Sequence, residues 1–238
     1  VNSEIGTIQN IRELAKVIRY ARQNRITPAR ALRGAKAPRP TLASSDAVLP
    51  LLFHTDASQA PLWVPLNVEK LGVDLLTLDA QKIMGPKGAG ALFARRGVAL
   101  TPYIYGGGQE AGKRSGTENV PLMGALALAL EEAQKDLETR VRNISHVRDF
   151  TLEEIKKKIP NVRLNGATGE VRVANNINIS IPNLNGDMAV VALNAKGIAV
   201  STRSACDTGE EVVSHVLASI GTTPEEAKNS IRITLLPG

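Results

Sequence analysis

Disulfides, zinc clusters and membrane spans are all closed to this sequence. It has one cysteine, Cys206, in 238 residues, so no disulfide can form within the chain. Three scattered histidines add no zinc-type ligand spacing. Aromatic residues make up only 3%, too few for a platform on which single-stranded nucleic acid stacks. No apolar run is long enough to cross a bilayer. The segment Val1-Asn-Ser-Glu-Ile-Gly6 has neither the charged nor the apolar region of a secretory signal. We therefore expect a cytoplasmic protein that binds neither membrane nor nucleic acid, and the cysteine usage fits a reducing compartment.

The sequence does have the material for a core. Hydrophobic residues are 43% of the chain, which places it among globular proteins. The net charge of +6 allows an acidic partner or an anionic ligand. Part of that excess, Arg25, Arg30, Arg33, Lys36 and Arg39, lies in a stretch with Pro28, Pro38 and Pro40, and reads as a solvated loop.

Apolar residues recur at helical spacing from Ile11 to Gln23, which predicts an amphipathic helix. Residues 26–49 read as a long irregular insertion. Three apolar runs follow: Leu49 to His54, Val73 to Leu78 and Gly90 to Ala94. Each reads as a strand, and runs apolar on both faces predict a sheet covered by helices on both sides. Polar residues cluster where the first two runs end, and ligands gather at such strand ends. Val120 to about Ile159 has a helical pattern, with Leu122 to Leu130 apolar nearly all round and expected to be buried.

After Pro160 the rhythm changes. Ile177, Ile179 and Ile181 alternate with polar residues, as in a half-buried strand over Asn176 to Pro182. Asp187 to Lys196 reads as a helix with Gly197 just past its end. Ile198 to Thr202 reads as a strand, Val212 to Ile220 as a helix and Ser230 to Leu235 as a last strand. The expected organisation is a first α/β region, residues 1–137, and a smaller α+β domain, residues 138–238.

Cys206 lies in Ser201-Thr-Arg-Ser-Ala-Cys-Asp-Thr-Gly209, a small, polar segment with the composition of a mobile loop. Its neighbours leave two readings open. One is an inert cysteine acting as a small hydrophobe. The other is a reactive thiol whose thiolate is favoured by Arg203.

Several blocks, taken in order, resemble the cysteine desulfurases. They are His54-Thr-Asp-Ala-Ser-Gln59, Lys82 followed by Gly85-Pro-Lys-Gly88, Gly106-Gly-Gly-Gln-Glu110 and Arg114-Ser-Gly-Thr117. Ser204-Ala-Cys206, Ser214-His-Val-Leu217 and Ser230-Ile-Arg232 extend the likeness toward the C-terminus. These enzymes belong to the class V aminotransferase group, which uses pyridoxal 5'-phosphate. The long cysteine loop resembles the NifS/IscS-type branch.

The resemblance implies part of a pyridoxal-phosphate transferase large domain, with a mainly parallel sheet, plus a small C-terminal domain. It assigns Lys82 as the lysine that carries the cofactor and Cys206 as the sulfur acceptor. Asp56 matches the partner of the pyridinium nitrogen. Asn2 and Gln59 match groups that reach the ring hydroxyl, and Asn2 also faces substrate. Thr117 matches a residue that serves the cofactor of a second subunit, which implies a homodimer. Arg232 matches the arginine that takes the substrate carboxylate. His54, Lys87 and the glycines at 106–108 read as structural. The implied reaction converts L-cysteine to L-alanine and leaves a persulfide on Cys206. A sulfur acceptor or iron–sulfur scaffold protein would then take up that sulfur.

The sequence also departs from the pattern. It starts inside the family's large domain, before which the resemblance implies a Gly-Thr phosphate loop and a ring-stacking histidine. Asp79 stands where a serine usually donates to the phosphate, and a carboxylate there repels a dianion unless it is protonated or turned away. Gln81 stands where a histidine usually precedes the lysine; it can donate a hydrogen bond but relay no proton. Thr202-Arg203 stands where Ser-Gly is usual, and no helix follows Arg232. Two other readings stay open: a non-catalytic desulfurase-like protein that binds sulfur-transfer partners, and another class V enzyme such as an aminotransferase or selenocysteine lyase.

Overall fold

The structure is a computed structural model and describes residues 1–24, 50–202 and 214–236. Cys206, Arg203 and the basic cluster from Arg25 to Arg39 lie outside the described residues.

Helix α1 spans Ile11–Gln23, as its periodicity predicts, with the Asn10 side chain accepting from the Glu13 amide at its start. Strand β1 is His54–Asp56, later than expected. Upstream of it, the Phe53 amide donates to the Asp74 carboxylate at 2.7 Å, and the Phe53 carbonyl accepts from the Asp74 and Leu75 amides. Ladder pairing therefore starts only at His54. Short helix α2 (Val68–Leu71) ends at Gly72, whose φ of 71° is the left-handed conformation that glycine accepts without strain.

Strand β2 is Leu75–Asp79 and strand β3 is Gly90–Ala94. β1 and β2 run parallel, and β2 and β3 antiparallel, so this sheet is mixed. Only the Leu76 and Leu78 face of β2 is buried, where apolar faces on both sides were expected. Leu76, Leu78, Val73, Ala57 and Ala60 form its core.

The pattern after Val120 resolves into two helices, α3 (Val120–Gln134) and α4 (Leu137–Lys158). Between them Asp136 is left-handed, with φ of 49°. At this break Gln134 donates to the Pro61 carbonyl at 2.6 Å and Arg140 to the Leu62 carbonyl at 3.1 Å. The helical pair thus anchors the segment between β1 and α2. The expected burial of Leu122 to Leu130 does not hold: Met123 and Leu128 are exposed, and Leu126 is the buried leucine of the stretch. Nothing among the described residues packs on that outer face.

The second sheet contains β4 (Arg163–Leu164), β5 (Asn176–Ser180) and β6 (Ser230–Thr234), all antiparallel. Around it lie α5 (Gly186–Asn194), α6 (His215–Ser219) and α7 (Pro224–Lys228). Between Ile198 and Thr202 a single bridge from Ser201 to Arg232 replaces the expected strand. β5 is buried on both faces rather than half-buried. Ile177, Ile179 and Ile231 pack against Leu152 and Ile155 of α4. The opposite, polar face carries Asn176, Asn178, Ser180 and Ser230, and residues 2–7 help to cover it. The Glu4 carbonyl accepts from the Asn176 and Asn178 side chains, each at 3.1 Å. The fit is close, since a Cβ on Gly6 would meet the Asn176 side chain at 2.8 Å.

Candidate active site

A cavity of about 390 Å³ lies where the N-terminal segment, the turn after β2 and strand β6 meet. Asn2, Gln59, Gln81, Lys82 and Arg232 line it. Five of the residues named from sequence thus converge, although they are spread across the chain. Trp63 and Met84 also line it.

Lys82 sits on a 3-10 turn, Ala80–Ile83. Ala80 and Ile83 are buried against Leu126 and Ala133 of α3, which fixes the turn from below. Asp79 caps it, its Oδ1 accepting from the Gln81 amide at 3.1 Å. Met84 closes it in the left-handed conformation. Gly85 allows close packing, for a Cβ there would stand 3.0 Å from both the Ala80 carbonyl oxygen and the Ala129 methyl. Lys82 itself is exposed at the cavity wall.

Asn2 is oriented by its own backbone turn. Its side-chain oxygen accepts from the Glu4 amide at 2.9 Å and the Ile5 amide at 3.0 Å. With that oxygen engaged, the amide NH2 is the group left to donate to a ligand. Arg232 enters from β6, opposite Asn178 in register. Its Nη1 donates to the Ser3 carbonyl at 3.4 Å. Burial draws the Arg232 pKa down, and the Glu4 carboxylate works the other way.

Asp56, Asp79 and Thr117 do not line the cavity. Asp56 ends β1 and accepts from the Ser58 amide at 2.8 Å. Partial burial disfavours its charge, but hydrogen bonds from Ser58 and the field of His54 outweigh that and hold the carboxyl below its usual value. Asp79 is committed to its own turn, with Oδ2 also accepting from the Gln81 side chain at 3.1 Å. Thr117 lies on an exposed loop. Cys206 is outside the described residues, but both flanks of its loop are held. Ser201 pairs with the Arg232 backbone, and the Ser214 hydroxyl accepts from the Leu217 amide at 3.1 Å. Ser201 therefore lies beside Arg232.

Sequence reasoning missed Trp63, Asn175 and Asn176 as lining residues. Trp63 had one usable signal, as the sole tryptophan. The asparagines had none, because what brings them to the cavity is the pairing of the second sheet.

The aminotransferase class-V pattern matches residues 25–236. Cysteine desulfurase IscS of Dictyoglomus turgidum is 38% identical over 98% of this chain and 52% of its own length. Its namesake from Methanosarcina thermophila is 39% identical over 98% of this chain and 50% of its own length. Among solved structures, a NifS-like protein aligns with a TM-score of 0.79 and 30% identity, covering 99% of this chain and 54% of that one. A NifS-like protein from Rickettsia africae gives 0.75 and 30%, over 99% and 54%. The chain thus spans about half the length of the curated relatives it matches. On the match over residues 25–236, this chain belongs to the class-V aminotransferase family.

Proposed function

We propose that this chain carries the active site of a pyridoxal-phosphate-dependent cysteine desulfurase. It would turn L-cysteine into L-alanine and load the sulfur on Cys206. The observation that carries the reading is the cavity in which Lys82, Gln59, Gln81, Asn2 and Arg232 meet. In this division of labour, residues 1–137 belong to the cofactor-binding domain and 138–238 to the smaller one.

The donor set fits the cofactor. Lys82 offers an amine that no described hydrogen bond or ion pair occupies. The Asn2 NH2 and the Gln59 amide offer neutral donors for a ring hydroxyl, and Asp56, at the end of β1 outside the cavity wall, offers a carboxylate whose pKa is held down. Asp79 is engaged by Gln81 through both carboxylate oxygens. When bound, pyridoxal phosphate draws electrons from the amino-acid α-carbon and makes its proton acidic.

The chain's own groups then divide the work. Arg232 holds the substrate carboxylate, with a fork that suits a planar anion. The Lys82 amine, at the cavity wall, takes the α-proton. The Cys206 thiolate attacks the substrate sulfur, a new S–S bond forms and the C–S bond breaks. Protons return to carbon, and alanine leaves.

A homodimer completes the proposal, with Thr117 serving the second subunit, and an iron–sulfur scaffold or other protein receives the sulfur. No helix among the described residues is long and apolar enough to cross a membrane; we assign the protein to the cytoplasm.

The test is incubation with pyridoxal phosphate and L-cysteine, followed by intact mass and alanine analysis. Persulfide is expected on Cys206, with alanine released in step. Cys206→Ser should stop sulfur transfer yet keep the cofactor's visible absorbance, whereas Lys82→Ala should remove that absorbance. Undiminished alanine from Cys206→Ser would point to a lyase. No alanine from any form, with the absorbance retained, would favour a non-catalytic partner-binding protein.

A further inference from the structure

Arg172 is 4% exposed and is not part of the cavity wall. Burial and, less strongly, the neighbouring Arg148 charge draw its pKa down to about 10. It stays a cation at neutral pH, and a guanidinium only donates. Its Nε donates to the Asn176 carbonyl and its Nη1 to the Asn165 and Ala167 carbonyls, each at 2.8 Å. Its Nη2 donates to the Asn176 side-chain oxygen at 3.0 Å. That last bond decides which way the Asn176 amide faces. The oxygen meets the guanidinium, so the NH2 is left for the Glu4 carbonyl, 3.1 Å away. Asn178 donates to the same carbonyl at 3.1 Å. The Glu4 carbonyl and the Ile5 N–H belong to one planar peptide unit. That N–H donates to the Asn2 side-chain oxygen at 3.0 Å. Contacts thus run unbroken from Arg172 through Asn176 and the Glu4–Ile5 peptide to Asn2, which lines the cavity. Donors on the carbonyl polarise the peptide and make its N–H a better donor. Glu4, Ile5, Asn176 and Asn178 are all buried, so water does not compete. The segment also has little room to shift, since a Cβ on Gly166 would stand 2.8 Å from the Ile5 carbonyl oxygen.

We propose that Arg172 and Asn176 are positioning residues of the active site: through the Glu4–Ile5 peptide they hold the Asn2 oxygen inward and present its NH2 to the ring hydroxyl of pyridoxal phosphate. This rests on the reading of Asn2 as a cofactor-facing residue. An asparagine amide can turn by half a rotation, which exchanges its oxygen and nitrogen. A turned Asn2 would offer the ligand an acceptor in place of a donor. It would also set its NH2 against the N–H groups of Glu4 and Ile5. The buried relay excludes that state before any ligand arrives, so binding does not have to order the side chain. Asn176 also lines the cavity, and a direct touch on the ligand is the competing role for it.

The probe is pyridoxal phosphate itself, read by absorbance titration and by the wavelength of its visible band at saturation. A hydrogen bond to the ring hydroxyl moves that band, whereas partial loss of folded protein only lowers it. Asn2→Ala should shift the band and weaken binding about five-fold, the scale of one hydrogen bond. Asn176→Asp keeps the acceptor for Arg172 and gives it a charge partner, but removes the NH2 that reaches Glu4. It should shift the band in the same direction as Asn2→Ala, with a urea midpoint near that of the parent. Arg172→Lys keeps the charge without the fork and should do the same. In the Asn2→Ala background neither substitution should move the band further. A further shift there would mean that Asn176 or Arg172 acts other than through Asn2, and would overturn the proposal. So would an unmoved band in both single variants beside a shifted one in Asn2→Ala, or loss of fold in both. In those cases the reading of Asn2 stands. If Asn2→Ala leaves band and affinity unchanged, that reading fails and the proposal falls with it. A parent chain that takes up no pyridoxal phosphate would overturn both.

Discussion

Lys82 reaches the cavity because the turn beneath it is packed on α3 and capped by Asp79. A cap of this kind is worth about 1 kcal/mol, and serine supplies it nearly as well as aspartate. Asp79→Ala should therefore lower stability by about 1 kcal/mol in urea unfolding, while Asp79→Ser should stay close to the parent. Absorbance titration should show tighter pyridoxal phosphate binding by Asp79→Ser, because a hydroxyl replaces a charge that a phosphate avoids. Weaker binding by Asp79→Ser would mean that the carboxylate serves the cofactor and not only its own turn. The residue at this position was flagged from sequence as an electrostatic misfit. The hydrogen bonds to Gln81 engage both carboxylate oxygens but leave the charge in place.

Secondary elements are tied together by a few charged groups. Arg22, in the last turn of α1, pairs with Asp74 just before β2 and donates to the Leu51 carbonyl at 2.7 Å. The Asp74 carboxylate also accepts from the Phe53 amide. Burial disfavours charge on Asp74, but Arg22, the Phe53 amide and Arg95 together hold its pKa below the usual carboxylate value. A lowered carboxyl pKa stabilises the fold above the unfolded value, and that contribution is lost as the pH falls through the folded value. Asp74→Asn should thus cost about 2 kcal/mol at neutral pH, less than a fully buried pair because Arg22 stays partly wetted. The gap between variant and parent in urea unfolding should narrow below about pH 4. A constant gap would place the effect in packing rather than charge.

At the scale of the whole molecule, the described surface has much apolar area around the Thr117 loop. Tyr103 is 96% exposed, Tyr105 75% and Val120 68%. Apolar surface of that kind marks an interaction face. A second copy is the occupant that the Thr117 reading requires. Sedimentation at micromolar concentration should show a dimer, and Tyr105→Glu should shift it toward monomer. A clean monomer for the parent chain would remove the shared-site reading.

Local pattern was enough to read α1 and β3 residue for residue, because their periodicity and flanking turns are properties of adjacent residues. It also showed the alternation of Ile177, Ile179 and polar neighbours in β5, while the resemblance to the cysteine desulfurases named Lys82, Gln59, Asn2 and Arg232 for a common site. It could not show what lies on the polar side of β5. Alternation says that two faces differ, and only a distant segment can decide whether the second face meets water. Residues 2–7, more than 160 positions away in sequence, bury Asn176 and Asn178 there. The break between α3 and α4 is likewise set by contacts with Pro61 and Leu62, well outside any helical window. Covering a face and ending a helix are acts of tertiary packing, which no local window records.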